Sequence, residues 1–98
     1  MAPTYEWDPA KRLSNIAKHA GTDFVLVSDF EWSTAQTVRS DRSGEVRYSS
    51  IGYIGPRLHV VIYTVRDGAR RIISLRKANK REEENYATAQ AGPYQSDG

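Results

Sequence analysis

The chain has no cysteine and only two histidines in its 98 residues. The absence of cysteine excludes disulfide bonds, thiolate nucleophiles and metal sites that depend on cysteine ligands. The two histidines, His19 and His59, lie on separate predicted elements, so they provide a weak basis for a metal site. We therefore expect neither a metal ion nor another cofactor.

Long apolar runs are also missing. No stretch approaches the ~18 consecutive apolar residues that a membrane-spanning helix requires, and the first residues show no pattern typical of a secretory signal. We expect a cytoplasmic protein without a membrane partner. The length is that of one domain, which we place at residues 1–90, and residues 91–98 are expected to form a flexible C-terminal tail.

Positive charge is concentrated in the middle of the chain. From Arg39 to Arg81 there are 11 Lys or Arg against 3 Asp or Glu, a balance of +8. Residues 1–38 carry −2 and residues 82–98 carry −4, which together give the net charge of +2. A basic segment of this kind indicates a polyanionic ligand, and nucleic acid is the commonest one.

Helix signals come first in the sequence. Asp8-Pro9 is typical of a helix start, and an apolar stripe with helical spacing predicts a helix over residues 9–20. The stripe consists of Leu13, Ile16, Ala17 and Ala20. Thr22 or Asp23 is expected to cap a second, shorter helix, although the apolar run that follows also fits a strand.

Strand signals follow in the middle of the chain. Residues 58–66 are apolar on both faces and are placed at the centre of a sheet. Asp67-Gly68 is a hairpin signal that leads into a returning strand over residues 70–76. The sequence predicts an α+β fold of two N-terminal helices, a three- to four-stranded antiparallel sheet with one face open to solvent, and a C-terminal helix. The remaining predicted elements are a β-prone segment at 4–7, strands at 34–39 and 45–53, and a last helix from about 79 to 90.

Strand alternation gives the open face a chemical character. Glu45 and Arg47 share one face of their strand, and Arg70 and Arg76 share one face of the last strand. RNA supplies its own nucleophile, the 2′-hydroxyl, so a protein needs only a base, a proton for the leaving 5′-oxygen and a clamp for the phosphorane. Glu or His can act as the base, and the guanidinium fork suits phosphate oxygens. We interpret this face as a ribonuclease cleft that needs no metal.

Each candidate also has a structural interpretation. His19 could cap a helix C-terminus, and His59 inside the strongest strand is expected to be structural. Glu45 and Arg47 could form only a same-strand ion pair. The run Glu82–Glu84 is expected to be a solvated helix face, and the two tryptophans are expected to lie in the core.

An ordered set of short motifs covers about residues 5–87. In sequence order the motifs are Glu6–Lys11, Asn15, Lys18-His19, Gly44–Arg47, Ile51-Gly52, Arg57, Val60–Arg66, Arg71–Ala78, Glu82–Glu84 and Tyr86. Each motif is weak alone, but their order and spacing are specific. On these motifs the chain resembles the BrnT toxins of bacterial type II toxin–antitoxin systems, relatives of the RelE-like ribonuclease fold.

The resemblance implies a metal-independent, ribosome-independent endoribonuclease that arrests growth by cutting RNA. It also implies a cognate antitoxin of the ribbon-helix-helix class, which dimerises, carries two toxins in a heterotetramer and represses its own promoter. Operator DNA is then a partner only through the antitoxin.

The resemblance also implies a set of site residues. The catalytic candidates that it gives are His19, Glu45, Arg47 and Arg76, and the RNA-binding candidates are Lys18, Arg66 and Lys77. Arg42 and Arg70, from the basic middle of the chain, are further RNA-binding candidates. Glu45 or His19 is interpreted as the base, with Arg47 and Arg76 as phosphate clamps. The family often carries a histidine shortly before Gly44, where this chain has Asp41-Arg42-Ser43, so Arg42 is the replacement candidate.

The main alternative is a protein that does not cleave RNA. A degenerate toxin would keep the fold and serve as a nucleic-acid-binding or antitoxin-docking module. A small DNA-binding regulator is disfavoured, because no predicted helix carries the dense basic face of a recognition helix.

Overall fold

The computed structural model describes residues 3–42 and 44–91. In chain order the elements are β1 (Thr4–Trp7), α1 (Pro9–Lys18), two 3₁₀ helices (Phe24–Asp29 and Trp32–Thr34), β2 (Gln36–Arg42), β3 (Glu45–Ile54), β4 (Arg57–Arg66), β5 (Ala69–Lys77) and α2 (Lys80–Ala91). The expected tail at 91–98 falls, apart from Ala91, outside the described residues. No helix in the described ranges is long and apolar enough to cross a membrane.

The predicted fold was wrong in its helices and in the make-up of its sheet. Five strands form one mixed sheet in the order β1-β5-β4-β3-β2, and β1 lies parallel to β5. The expected second helix is a six-residue 3₁₀ helix, in which Phe24 and Val27 are fully buried. Their spacing of three places both side chains on one side of a 3₁₀ helix, so the apolar pattern predicted a helix of the wrong type.

The centre of the sheet agrees with the sequence prediction. β4 is the third of five strands, between β3 and β5. Asp67 and Gly68 join β4 to β5 with φ of 51° and 80°, the positive values that a tight two-residue hairpin requires. The hairpin between β3 and β4 has Gly55 at φ 59° before Pro56.

One face of the sheet, the core face, is covered by the 3₁₀ helices. Its buried cluster consists of Phe24, Val27, Phe30, Val61, Tyr63, Ile72 and Leu75, with Trp7 and Trp32 packed against it. The expectation that both tryptophans lie in the core is therefore confirmed. Phe30 sits directly over Gly52, where an added Cβ would come within 2.8 Å of the ring atom Cζ. We therefore expect a side chain at position 52 to displace Phe30 from the core.

The opposite face is covered at only one end. Tyr86 of α2 packs there against Leu58 and Val60, and its hydroxyl donates to the Thr34 carbonyl at 2.8 Å. Farther along β4, Thr64 and Arg66 continue the same alternation beyond the reach of this cluster. This uncovered part of the sheet, on the Glu45 and Arg66 side, is named the open face below.

Helix α1 does not pack through its apolar stripe. Leu13 is 63% exposed, and the buried residue of the helix is Asn15. The stripe predicted a helix at this position and the structure has one, but the apolar residues of the stripe are not the buried ones. Instead, α1 lies at the sheet edge and uses a polar contact.

The Asn15 side chain replaces a strand neighbour for β5. Its amide nitrogen donates to the Leu75 carbonyl at 2.7 Å and to the Thr22 carbonyl at 3.0 Å. Its amide oxygen accepts from the Leu75 N–H at 3.2 Å. Because β1 pairs with β5 only as far as Ile72, Asn15 satisfies the next exposed edge position and fixes α1 beside the open face.

Candidate functional site

A basic cleft crosses the open face between α1 and strands β3 to β5. It consists of two adjoining cavities of about 270 and 150 Å³ that share Lys11 and Ile73. The first cavity is also lined by Ser14, Asn15, Lys18, His19 and Ser74, and the second by Glu45, Arg47, Thr64, Arg66, Arg71 and Ile72. These residues define the basic cleft.

Glu45 lies between two arginines in the second cavity. Its Oε2 accepts from Arg66 Nη2 at 3.1 Å, and its Oε1 accepts from Arg47 Nε at 3.4 Å. The hydrogen bond from Arg66, with a smaller contribution from Arg47, holds the pKa of Glu45 below its usual value. The carboxylate is therefore ionised at neutral pH and orients both guanidinium groups.

His19 and Lys18 lie in the first cavity, at the C-terminal end of α1. His19 is the C-cap residue, and its backbone N–H donates to the Asn15 carbonyl at 2.8 Å. The Thr22 hydroxyl donates to the His19 carbonyl at 2.7 Å. The cap thus uses the backbone of His19 and leaves its ring available to the cleft.

Arg76 is engaged by a carboxylate outside the cleft. Its Nη1 and Nη2 donate to the two carboxylate oxygens of Glu82, both at 2.8 Å. Glu82 and Asn79 also exchange backbone-to-side-chain hydrogen bonds, which form a capping box at the start of α2. The bond from Arg76 lowers the pKa of Glu82, and the same bond raises the pKa of Arg76. The interpretation of Glu82 as part of a solvated face was therefore wrong.

A β-bulge in β5 determines which arginines reach the cleft. Ile62 pairs with Ser74, but the next residue, Tyr63, pairs with Ile72, so Ile73 is the extra residue. The bulge reverses the alternation along β5. The prediction that Arg70 and Arg76 share one face was wrong for this reason.

Arg70 lies on the core face instead. Its guanidinium carbon is 3.8 Å from the ring centroid of Trp32 and 5.7 Å from that of Tyr63. Stacking of this kind stabilises the arginine against the aromatic cluster. Its neighbour Arg71 points into the cleft, where its Nη1 donates to Glu6 of β1 at 2.9 Å.

Lys77 and His59 lie outside the two cavities. Lys77 ends β5 and pairs in register with His59. His59 is buried, its Nδ1 lies 2.9 Å from the Arg57 carbonyl, and burial lowers its pKa, in agreement with a structural role. The backbone of Arg42 ends β2 opposite Glu45, and its side chain is outside the described part of the structure.

Several cleft residues were not among the sequence candidates, and Lys11, Arg71 and Thr64 are the ones that bear most on its chemistry. Lys11 and Lys18 are seven residues apart on α1, a spacing that predicts one helix face, so Lys11 could have been found. Arg71 was missed because the bulge reverses the alternation from which its face was predicted. Thr64 gave no signal, because a threonine in an apolar strand is ordinary.

The comparison with known families decides the identity. A family model described as the ribonuclease toxin BrnT of type II toxin–antitoxin systems matches residues 7–82. That segment is more than three quarters of the chain and includes every residue of the basic cleft. The chain belongs to this family. A search of curated proteins found no match.

Membership of the BrnT family confirms the resemblance and part of what it implies. The family consists of ribonuclease toxins of type II toxin–antitoxin systems, so RNA is the expected substrate class and an antitoxin is the expected partner. The cleft of this BrnT chain suits such a substrate, because it presents a row of cations that can neutralise a phosphate backbone.

Proposed function

We propose that the chain is a metal-independent endoribonuclease toxin that acts by 2′-hydroxyl attack. The observation that carries the proposal is the arrangement of Glu45 between Arg47 and Arg66, in a cleft that also contains His19. These residues supply two of the three functions that RNA cleavage needs: a group that takes a proton and cations that stabilise the developing charge.

The roles follow from how each side chain is held. His19 takes the proton of the 2′-hydroxyl as its oxygen bonds to phosphorus. The bond from phosphorus to the 5′-oxygen then breaks, which leaves a 2′,3′-cyclic phosphate, and solvent protonates the leaving oxygen. Arg47 and Arg66 stabilise the phosphorane charge with the N–H groups that Glu45 does not occupy. Glu45 positions both guanidiniums, because its lowered pKa makes it a weak base.

Lys18 completes the proposed RNA contact from α1, in the same cavity as His19. Arg76 is proposed to act on stability rather than on phosphate, because Glu82 holds both of its terminal nitrogens. Arg70 is not part of the proposed RNA contact because it lies on the core face, and Lys77 is not part of it because it lies outside both cavities. Antitoxin control by a ribbon-helix-helix dimer, in a complex with two toxins, remains a proposal supported by the resemblance.

An RNA cleavage assay in EDTA tests the proposed reaction. The informative variant is Arg47→Ala, and Arg39→Ala is a matched control. Arg39 pairs with Asp41 two residues along β2 at 3.3 Å, as Arg47 pairs with Glu45 along β3 at 3.4 Å. Arg39 is opposite Tyr48 in register, which places it on the core-face side of the sheet.

The expected result is cleavage by the wild type and by Arg39→Ala, with a loss of about 10²-fold or more in Arg47→Ala. Products should carry 2′,3′-cyclic phosphate ends. Folded wild type that retains RNA at low salt but does not cleave it would contradict the proposal. That outcome would favour the degenerate toxin, which the absence of histidine from residues 41–43 also favours.

A further inference from the structure

Thr64 is a buried polar residue that the proposed reaction does not use. It lies on β4, is 3% exposed and lines the second cavity of the cleft. Its hydroxyl has no hydrogen-bond partner among the described residues. A buried polar group without a partner destabilises the protein, which is a reason to expect a partner in the working protein.

Cations surround this hydroxyl. Arg71 is the partner of Thr64 in register on β5, and Lys11, Arg47 and Arg66 line the same cavity. The cavity therefore has four positive side chains and the carboxylate of Glu45. With Glu6, which pairs with Arg71, the carboxylates number two, so positive charges exceed negative ones by two. The cavity has a clear preference for an anion.

The three arginines keep donors for such an anion. Arg47 engages Glu45 through Nε, Arg66 engages it through Nη2, and Arg71 engages Glu6 through Nη1. The other N–H groups of these guanidiniums are not used in those contacts. Because these side chains are 32–56% exposed, they can turn toward a ligand in the cavity that Thr64 also lines.

We propose that the second cavity is an anchoring site for the scissile phosphate of RNA, the one that Arg47 and Arg66 contact, with Thr64 as its neutral donor. The Thr64 hydroxyl donates to a non-bridging phosphate oxygen, while Lys11 and Arg71 supply the charge on the α1 and β5 sides. A cavity of about 150 Å³ accepts a phosphate group but not a whole nucleotide. The proposal rests on the proposed function for the identity of its ligand, and it gives a role to three cleft residues that the proposed reaction does not use.

Binding is measured apart from cleavage. The probe is a short mixed-sequence RNA with 2′-O-methyl groups, which lacks the nucleophile and cannot be cut. Its affinity is followed by fluorescence anisotropy over a range of salt concentrations. The variants are Thr64→Val, which removes the hydroxyl at similar volume, Thr64→Ser, which keeps it, and Lys11→Gln, which removes one charge.

The two kinds of donor predict different salt behaviour. Thr64→Val should weaken binding about tenfold without changing the slope of log K against log salt, because the hydroxyl is neutral. Thr64→Ser should restore most of the affinity. Lys11→Gln should reduce the magnitude of the slope by about 0.7, the value for one phosphate contact to a single strand.

The outcomes separate this proposal from the proposed reaction. Equal affinity of folded Thr64→Val and wild type would overturn the phosphate site, whether or not the wild type cleaves RNA. An unchanged slope in Lys11→Gln would overturn the role of Lys11. A wild type that fails to cut RNA but loses affinity in Thr64→Val, with rescue in Thr64→Ser, would support the site and contradict the reaction.

Discussion

Glu82 and Glu45 both hold arginine side chains, and they do so in different ways. Glu82 gives both carboxylate oxygens to Arg76 at 2.8 Å, in a contact reinforced by a capping box. Glu45 gives one oxygen to Arg47 and the other to Arg66, at 3.4 and 3.1 Å. The first arrangement satisfies one arginine, and the second aligns two arginines that keep N–H groups for a ligand. Substitutions at these two sites should therefore separate stability from catalysis.

The largest effect is expected at the shared carboxylate. Glu45→Gln replaces an acceptor of two charged bonds with a neutral amide, so Arg47 and Arg66 lose their common orientation. RNA cleavage should fall about 10²-fold, the cost of a small misplacement of groups at the reacting centre. Affinity for the uncleavable RNA should be equal or higher, because a negative charge has been removed. A parallel loss of affinity, or undiminished cleavage, would contradict this role.

A smaller effect, on stability, is expected at the other pair. Arg76→Ala removes the partner of Glu82, whose side chain is 29% exposed. The lost ion pair connects the first turn of α2 to β5. The free energy of unfolding in urea should fall by about 1–2 kcal/mol. Cleavage per folded molecule should change less than tenfold. A loss of cleavage as large as in Arg47→Ala, at unchanged stability, would restore Arg76 as a phosphate clamp.

The same pair has a defined pH dependence. The pKa of Glu82 is lowered in the folded state from its ordinary value of 4.5, mainly by the bond from Arg76. Its contribution to stability is therefore complete above about pH 4.5 and is lost as the pH falls through the lowered pKa. Thermal unfolding of wild type and Glu82→Gln should differ at neutral pH and converge in acid. A difference that persists at low pH would show that the charge is not responsible.

The smallest effect is expected on the core face. Arg70→Gln loses the stacking on Trp32, which should reduce stability by about 1 kcal/mol or less. Because Arg70 does not face the cleft, the salt dependence of RNA binding should be unchanged. A slope reduced by about 0.7 would mean that Arg70 contacts phosphate after all. Arg71→Gln is the matched comparison, since the adjacent residue lines the cleft and should change the slope.

Local patterns predicted the parts of the fold that local chemistry determines. Strands β3 to β5, the Asp67-Gly68 hairpin and the start of α1 at Pro9 were found from alternation, turn residues and a cap. The β-prone segment at residues 4–7 is β1, but no short pattern reveals its parallel pairing with β5. The second helix was given the wrong type because its apolar spacing fits both kinds of helix.

The part of the candidate site that lies within one strand was predicted from the alternation of its residues. Glu45 and Arg47 share a face because β3 keeps its alternation, and the structure brings them together with Arg66. Arg70 and Arg71 lie on the opposite faces from those predicted, because Ile73 is an extra residue in β5. A bulge depends on the pairing of two strands, which one strand's sequence does not show. The occupation of Arg76 by Glu82 depends on where α2 begins, which the charge pattern alone did not fix.

The hydrogen bonds of Asn15 have two separate effects, one on the edge of the sheet and one on the position of α1. By occupying the Leu75 backbone, the amide closes a stretch of strand edge where a foreign chain could otherwise add and begin aggregation. The same bonds hold the helix that carries Lys11 and Lys18. Loss of this amide would therefore leave the edge of β5 unpaired and would also detach α1 from the cleft. Inactivation and self-association would then have the same cause.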